Sequence, residues 1–542
     1  MRKIQTTICP PVFITSAGLL IAFISFGVFQ TETAASVLPW ILDTVSTSFG
    51  WLYVVAVASF ILFSLYLLLS PYGSIRLGDD HERPEFSMLT WFSMLFSAGM
   101  GIGLVFYGVA EPMLHYAEPP LGEGGTAAAA EAALPLSMFH WGIHAWAIYV
   151  LMALSIAYFA YRRKLPLALR SCFYGLLGDR IYGWPGHLID ICAVFGTLFG
   201  LATSLGLGAM QVSAGLEYLF GVPHTTSTQL VLIAVITVCA VISLVTGVHN
   251  GIRRLSELNM ILAALLMMFV FLTGPTLFLV NAAFENLGGY ATTILQRTFK
   301  IGIIRPDEAD WIRSWTLFYW GWWIAWSPFV GMFVARISRG RTIREFILGV
   351  LLAPTAVTLV WFTVFGDTAI YLERFGGGGI ADAVSADVST AIYVMLERLP
   401  LSGVTSFLAA GVVAVFFVTS SDSASFVVDM LTSGGHPNPP VWQRIFWATA
   451  EGACAGVLLY AGGREALTAL QAAVISIGLP FCVVLLAMCV SLWLALRSDL
   501  QTGLSRQSEG RHGPRAAETD RQSGDRGQSE DRARSPAPRA LP

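Results

Sequence analysis

The chain has 542 residues, of which 55% are hydrophobic and only 12% charged. Soluble domains carry about twice that share of charge, so the composition excludes an ordinary soluble domain and fits an all-α polytopic membrane protein. The net charge of −3 points to no polyanionic partner, and no nucleic acid is expected.

The N-terminus, MRKIQTTICPP, has no small-residue cleavage site after its apolar run. It reads as the cytoplasmic lead-in to a first span, not as a signal peptide. Apolar runs then mark twelve candidate spans near 12–30, 51–70, 88–111, 134–160, 186–217, 228–248, 257–283, 313–336, 344–367, 402–427, 442–462 and 468–496. Arg2/Lys3, Arg76/Arg83, Arg162/Arg163/Lys164/Arg170, Arg253/Arg254 and Arg336 to Arg344 fall in alternate loops on one side. The loops 31–50, 112–133 and 218–227 hold no Lys or Arg. This alternation predicts both termini in the cytoplasm. Residues 284–312 carry Arg297, Lys300 and Arg305 and are expected to form a surface helix. The seven cysteines (Cys9, Cys172, Cys192, Cys239, Cys454, Cys482, Cys489) show no metal spacing and read as small apolar residues.

The third span reads SMLFSAGMGIGLVFYGVAEP. Gly99, Gly101 and Gly103 do not form one helical face, so unwinding explains them better than close helix packing. An unwound membrane segment offers free N–H and carbonyl groups where it lines a cavity. In the fourth span Trp141, Trp146 and Tyr149 fall within a broad arc of one helix. His140 and His144 stand at i, i+4, but without a third ligand a metal site is not expected. The fifth span places Thr203 and Ser204 among glycines, where hydroxyls usually bond their own backbone.

The eighth span, FYWGWWIAWSPFVGMFVARISRGRTIREF, carries Trp320, Trp322, Trp323 and Trp326. Trp322 and Trp326 share a face; Trp323 is turned about 100° from Trp322. Several aromatic faces together attract a desolvated cation. Pro328 removes a backbone donor, so a break is expected at Ser327-Pro328. The tenth span holds the polar cluster Thr419, Ser420, Ser421, Asp422, Ser423 and Ser425. Phe416, Thr419 and Ser420 share a face by i, i+3, i+4 spacing. Such oxygens suit Na⁺ where a helix is broken nearby, and they also serve as interhelical hydrogen bonds. From Ser498 the tail has eight arginines and seven acidic residues, and it is expected to be disordered or partly helical. Glu111, Asp190, Asp367, Asp422 and Glu451 are isolated ionisable residues in the spans. No nucleophile–base pair links them, so no catalytic residue and no enzyme activity is expected.

GMGIGL (99–104), HWGIHAWAIY (140–149) and YWGWWIAWSPFVGMFVARISRGRTIREF (319–346) together resemble the betaine/choline/carnitine transporter family over about 12–496. The resemblance implies two N-terminal helices and a core of two inverted five-helix repeats. The expected segments are then 1–87, 88–283 for the first repeat, 284–312, 313–497 for the second repeat and the 498–542 tail. It implies a homotrimer in the bacterial cell membrane. It implies an aromatic box of Trp141, Trp146, Tyr149 and Trp323, an inward path lined by Trp322 and Trp326, and an unwound stretch of Ala98, Gly99, Met100, Gly101 and Gly103 meeting the substrate's other end. It implies a Na⁺ site at Ser97, Met100, Phe416, Thr419 and Ser420, and a second at Thr203, Ser204 and Phe329. Gly103 stands where choline-type members carry an acid, and Met260 where sodium-independent exchangers place a basic residue. These positions favour Na⁺-coupled uptake of a zwitterion such as glycine betaine, with no cofactor beyond Na⁺. Proton-coupled choline uptake, sodium-independent exchange, and a channel or osmosensor are the alternatives.

Overall fold

A computed structural model describes residues 8–99, 101–246, 249–436 and 439–511. The chain divides into two compact units, Met1–Leu494 and Ala495–Pro542. The second unit is described only as the end of one helix, which reaches Arg511. All the architecture below belongs to the first.

The described residues are nearly all helical, with one isolated bridge, Arg76 to Thr342. The long helices are α1 Pro10–Phe29, α2 Thr31–Leu69, α3 Met88–Gly99, α4 Ile102–Ala117, α5 Ala127–Trp141, α6 Ile143–Ala157, α7 Trp184–Phe220 and α8 Thr226–Thr246. They continue with α9 His249–Thr273, α10 Thr276–Arg297, α11 Phe318–Ile337, α12 Ile343–Phe375, α13 Ser402–Thr432, α14 Val441–Gly462 and α15 Ala466–Arg511. Among the described residues, ten helical segments are long and apolar enough to cross a membrane. The third expected span is divided between α3 and α4, and α11 is rich in tryptophan; neither is among the ten.

Local chemistry sets many boundaries. Pro10 opens α1, where a missing N–H costs nothing. Thr126 accepts from the Ala129 N–H and caps α5. Thr342 and Glu345 form a reciprocal capping box at the start of α12. Gly221, at φ 70°, closes α7 in the left-handed conformation that favours glycine.

Packing brings α7, α11 and α13 together at the centre, with α4 and α6 against α11 and α12. A Cβ at Gly196 would lie 2.9 Å from the Ala325 carbonyl oxygen, so α7 and α11 touch backbone to backbone there. At one end of the bundle three basic loops interlock. Arg76 donates to the Gly340 carbonyl at 2.6 Å, Arg162 pairs with Asp80 at 2.7 Å, and Arg339 with Glu82 at 2.5 Å. Arg162 beside it holds the Asp80 carboxyl below the usual carboxylate range. Three of the five basic runs expected on a common side, those around Arg76, Arg162 and Arg339, meet at one end.

Several boundaries differ from the sequence reading. The eighth span is not broken at Ser327-Pro328: α11 runs through it to Ile337. Pro328 leaves the Ile324 carbonyl without its helical donor, and the Ser327 hydroxyl supplies one at 2.8 Å. The irregular turn lies earlier, a wide π turn over Ile312–Leu317. The fourth span is the interrupted one, at Gly142 between α5 and α6. Residues 31–50, expected as a loop, are helical within α2, whose 39 residues make it about 58 Å long. The seventh span ends at Thr273, and the helix expected after 283 already starts at Thr276. The mixed-charge tail is helical to Arg511; residues 512–542 lie outside the described ones.

Gly142 is held by α10. The Tyr290 hydroxyl accepts from the Ile143 N–H at 2.7 Å. A Cβ at Gly142 would lie 2.1 Å from that hydroxyl and 2.7 Å from the Met138 carbonyl oxygen. Gly142→Ala is expected to destabilise the protein by about 1–3 kcal/mol through overpacking. Thermal unfolding in detergent checks this, and Tyr290→Phe in the Gly142→Ala background should recover part of the loss.

Candidate functional site

The break between α3 and α4 creates the site. Gly101 is extended at φ −162°, ψ −175°, and α4 begins at Ile102. Met100 lies outside the described residues, and Ser97, Ala98 and Gly99 are described only as helical backbone. Beside the break is a cavity of about 40 Å³. It is walled by Gly101, Gly103, Trp141, Trp146, Tyr149, Trp322, Trp323 and Trp326, with Leu104, Ala145, Ser204 and Thr358 completing it. A water needs roughly 10–15 Å³ on this measure, so the space is narrow.

The rings are set at fixed angles. Trp322 and Trp323 stack with centroids 4.8 Å apart at 13°. Trp141 meets Trp323 edge-on at 4.8 Å and 70°. Tyr149 meets Trp323 at 6.4 Å and Trp146 at 5.3 Å. Gly103 makes the space: a Cβ there would lie 2.6 Å from Trp322 and 2.9 Å from Trp141.

Their polar edges are tied back into the protein. Trp141 donates its indole N–H to Glu111 Oε2 at 2.7 Å. Trp323 donates to the His140 carbonyl at 2.9 Å, and Trp322 to the Gly200 carbonyl at 3.2 Å. Glu111 is the hub. It also accepts from the Tyr319 hydroxyl at 2.5 Å, and lies 2.6 Å from His140 Nδ1 and 3.2 Å from His115 Nε2. The His140 ring stacks on Tyr319 at 4.8 Å, and its Nε2 faces the Thr316 hydroxyl at 3.1 Å. Tyr149 Oη and Trp326 Nε1 are buried and have no hydrogen-bond partner among the described residues.

Glu111, His115 and His140 bring one donor atom each within 4.8 Å. The Glu111 oxygens already meet four protein partners, so the trio works as a hydrogen-bonded support. His144, paired with His140 by spacing alone, instead meets Thr298 at 2.9 Å and stacks on Trp320.

A second cavity of about 940 Å³ adjoins the first, with Trp326 in both walls. Phe329, Met260, Phe416, Thr419 and Ser420 line it, and Arg336, Arg339 and Arg444 stand at its basic end. The Thr419 hydroxyl contacts the carbonyls of Val415 and Phe416 at 3.0 and 3.2 Å. Thr203 bonds the Phe199 and Leu470 carbonyls, Ser204 lines the aromatic cavity, and Phe329 lines the larger one beside Trp326. Sequence reasoning missed Glu111, Tyr319 and Thr358 as site residues. Its one available signal was a carboxyl inside an apolar run.

The family model described as betaine/carnitine/choline family transporter matches residues 11–501. The chain is similar to the glycine betaine transporter of Acinetobacter baylyi, at 44% identity over 94% of this chain and 77% of that protein. It is similar to glycine betaine transporter 1 of Vibrio parahaemolyticus at 48%, over 91% and 94%. The glycine betaine transporter OpuD of Bacillus subtilis shows 46%, over 92% and 96%.

Glu111→Gln leaves one carbonyl oxygen to serve donors that now meet two carboxylate oxygens. At least one buried donor then faces an amide NH₂. Thermal unfolding is expected to show a loss of about 1–3 kcal/mol, and near-UV circular dichroism should show weaker tryptophan signals as Trp141 loosens.

Proposed function

This chain belongs to the betaine/carnitine/choline transporter family, and from that membership we propose that it is a Na⁺-coupled symporter of a quaternary-ammonium zwitterion such as glycine betaine. It is a multi-pass membrane transporter and not an enzyme. The observation that carries the reading is the aromatic cavity at the α3–α4 break. Ring faces attract a trimethylammonium head by cation–π interaction, which a desolvated box makes worth about 2 kcal/mol or more. Tyr149 Oη and Trp326 Nε1 line the same cavity as unpartnered donors and suit the zwitterion's carboxylate. Position 103 is a glycine, so the acidic residue of choline-type members is absent there.

Sodium enters through the oxygens of Phe416, Thr419 and Ser420, with Ser97 and Met100 as further ligands. Thr419 and Ser420 line the larger cavity, and so does Met260, where a fixed positive charge would compete with the ion. Thr203, Ser204 and Phe329 remain the proposed residues of a second Na⁺ site. The two five-helix halves act as inverted repeats, moving the site between sides by alternating access. The protein works as an osmolyte uptake system, a homotrimer in the bacterial cell membrane with both termini cytoplasmic. The larger cavity, ending at the basic loops, is then the inward vestibule, and Trp326 is the wall between vestibule and site.

Uptake of radiolabelled glycine betaine into proteoliposomes tests the reading. Concentrative uptake under an inward Na⁺ gradient is expected, and none under an equal K⁺ gradient; uptake with a proton gradient alone overturns the coupling. Trp323→Ala should raise the apparent KM roughly 30-fold, the equivalent of about 2 kcal/mol. Thr419→Ala with Ser420→Ala should weaken Na⁺ half-saturation more than it weakens substrate affinity.

A further inference from the structure

Behind the face of α13 that carries Thr419 and Ser420, a second polar group is buried against α14. Glu451 is fully buried there, as are Ser421 and Ser425. The Ser425 hydroxyl lies 2.8 Å from Glu451 Oε2 and also 2.8 Å from the Ser421 carbonyl oxygen. Ser421 Oγ lies 3.5 Å from the same carboxyl oxygen, and Oε1 has no hydrogen-bond partner among the described residues.

A hydroxyl has one hydrogen. If Ser425 gives it to the Ser421 carbonyl, the contact with Glu451 holds only when the carboxyl brings a hydrogen of its own. If Ser425 gives it to the carboxyl, the Ser421 carbonyl loses that bond. A bare carboxylate in an apolar interior also needs a counter-charge. Among the described residues, none of the groups around it supplies one. On α14 the basic residue, Arg444, pairs with Asp429 at 3.4 Å, and Cys454 and Tyr460 are the other titratable groups. α13 adds Asp422, itself acidic. α7 has no titratable side chain between Cys192 and Glu217, and its Asp190 and His187 lie at its start, beside Arg170. α1 has none, α8 only Cys239, and α2 has Glu32 and Asp43, with Tyr53 and Tyr66.

We propose that Glu451 is a proton-binding site, the carboxylate taking up one proton to become a carboxylic acid whose O–H donates to Ser425 Oγ, which in turn donates to the Ser421 carbonyl. The relay keeps both hydroxyl and carbonyl paired. It fixes the helical turn that begins one residue after Ser420, so the proton positions the face proposed to bind Na⁺. Loss of the proton turns the Ser425 hydrogen back to the carboxylate and releases the Ser421 carbonyl.

The infrared spectrum of the purified full-length transporter in membranes at pH 7, wild type minus Glu451→Gln, tests the site. The expected difference is a carboxylic-acid carbonyl band that shifts in D₂O. A carboxylate band in its place overturns the proposal. A second measurement rests on the Na⁺ reading above: Glu451→Ala, which cannot donate to Ser425, should show Na⁺ half-saturation roughly three- to tenfold weaker than Glu451→Gln, which can. Equal values in the two variants overturn the positioning role. If wild-type uptake ignores Na⁺, the coupling reading fails and the infrared result still decides the proton site. If the alanine variant does not fold, the infrared result again decides.

Discussion

An aromatic ring that offers its face to a ligand still has a polar edge to satisfy, and in a membrane interior no water does it cheaply. The centre of this protein is built around that constraint. Trp141 turns its N–H to Glu111, Trp323 to the His140 carbonyl, and Trp322 to the Gly200 carbonyl. One carboxyl thus sits behind the box and meets an indole, a phenol and two imidazoles. The rings keep their angles because their edges are anchored. Rings and anchors together come from four separate stretches of chain, so the site cannot form until α4, α5, α7 and α11 have packed.

The aromatic cavity and the larger cavity share Trp326 as a wall. On one side lie the stacked tryptophans; on the other lie hydroxyls, phenylalanines and the arginines of the basic loops. Thr419 and Ser420 line the larger cavity. The same helix turns Ser421 and Ser425 to the opposite neighbour, α14. One polar run on α13 therefore serves two faces, which explains why it is so dense in hydroxyls.

Much of this was legible in the residues, because membrane helices announce themselves by composition. The alternate glycines from Gly99 to Gly103 marked the break in the third span, since that signal is local. The four tryptophans of α11 marked the aromatic wall for the same reason. Pro328 misled: the rule about its missing donor is sound, but the Ser327 hydroxyl reached the orphaned Ile324 carbonyl. Gly142 was passed over because a lone glycine in HWGIH carries no signal; Tyr290, from a distant helix, makes a break there favourable. Apart from His115 one helical turn on, the partners of Glu111 are remote in sequence: His140, Trp141 and Tyr319 lie 29, 30 and 208 residues away. Contacts of that kind depend on the packed fold.

The central claim is that the cavity selects its ligand by positive charge as well as by shape. The direct measurement is equilibrium binding of glycine betaine against 3,3-dimethylbutanoate, in which carbon replaces the quaternary nitrogen and the carboxylate is kept. Shape and apolar area are nearly equal, so the difference reports the net effect of the positive charge, attraction to the rings less the cost of dehydrating it. The account predicts that glycine betaine binds tighter by roughly 30-fold, the worth of about 2 kcal/mol of cation–π attraction in a desolvated box. Equal affinity for the two would contradict it and reduce the tryptophans to an apolar wall.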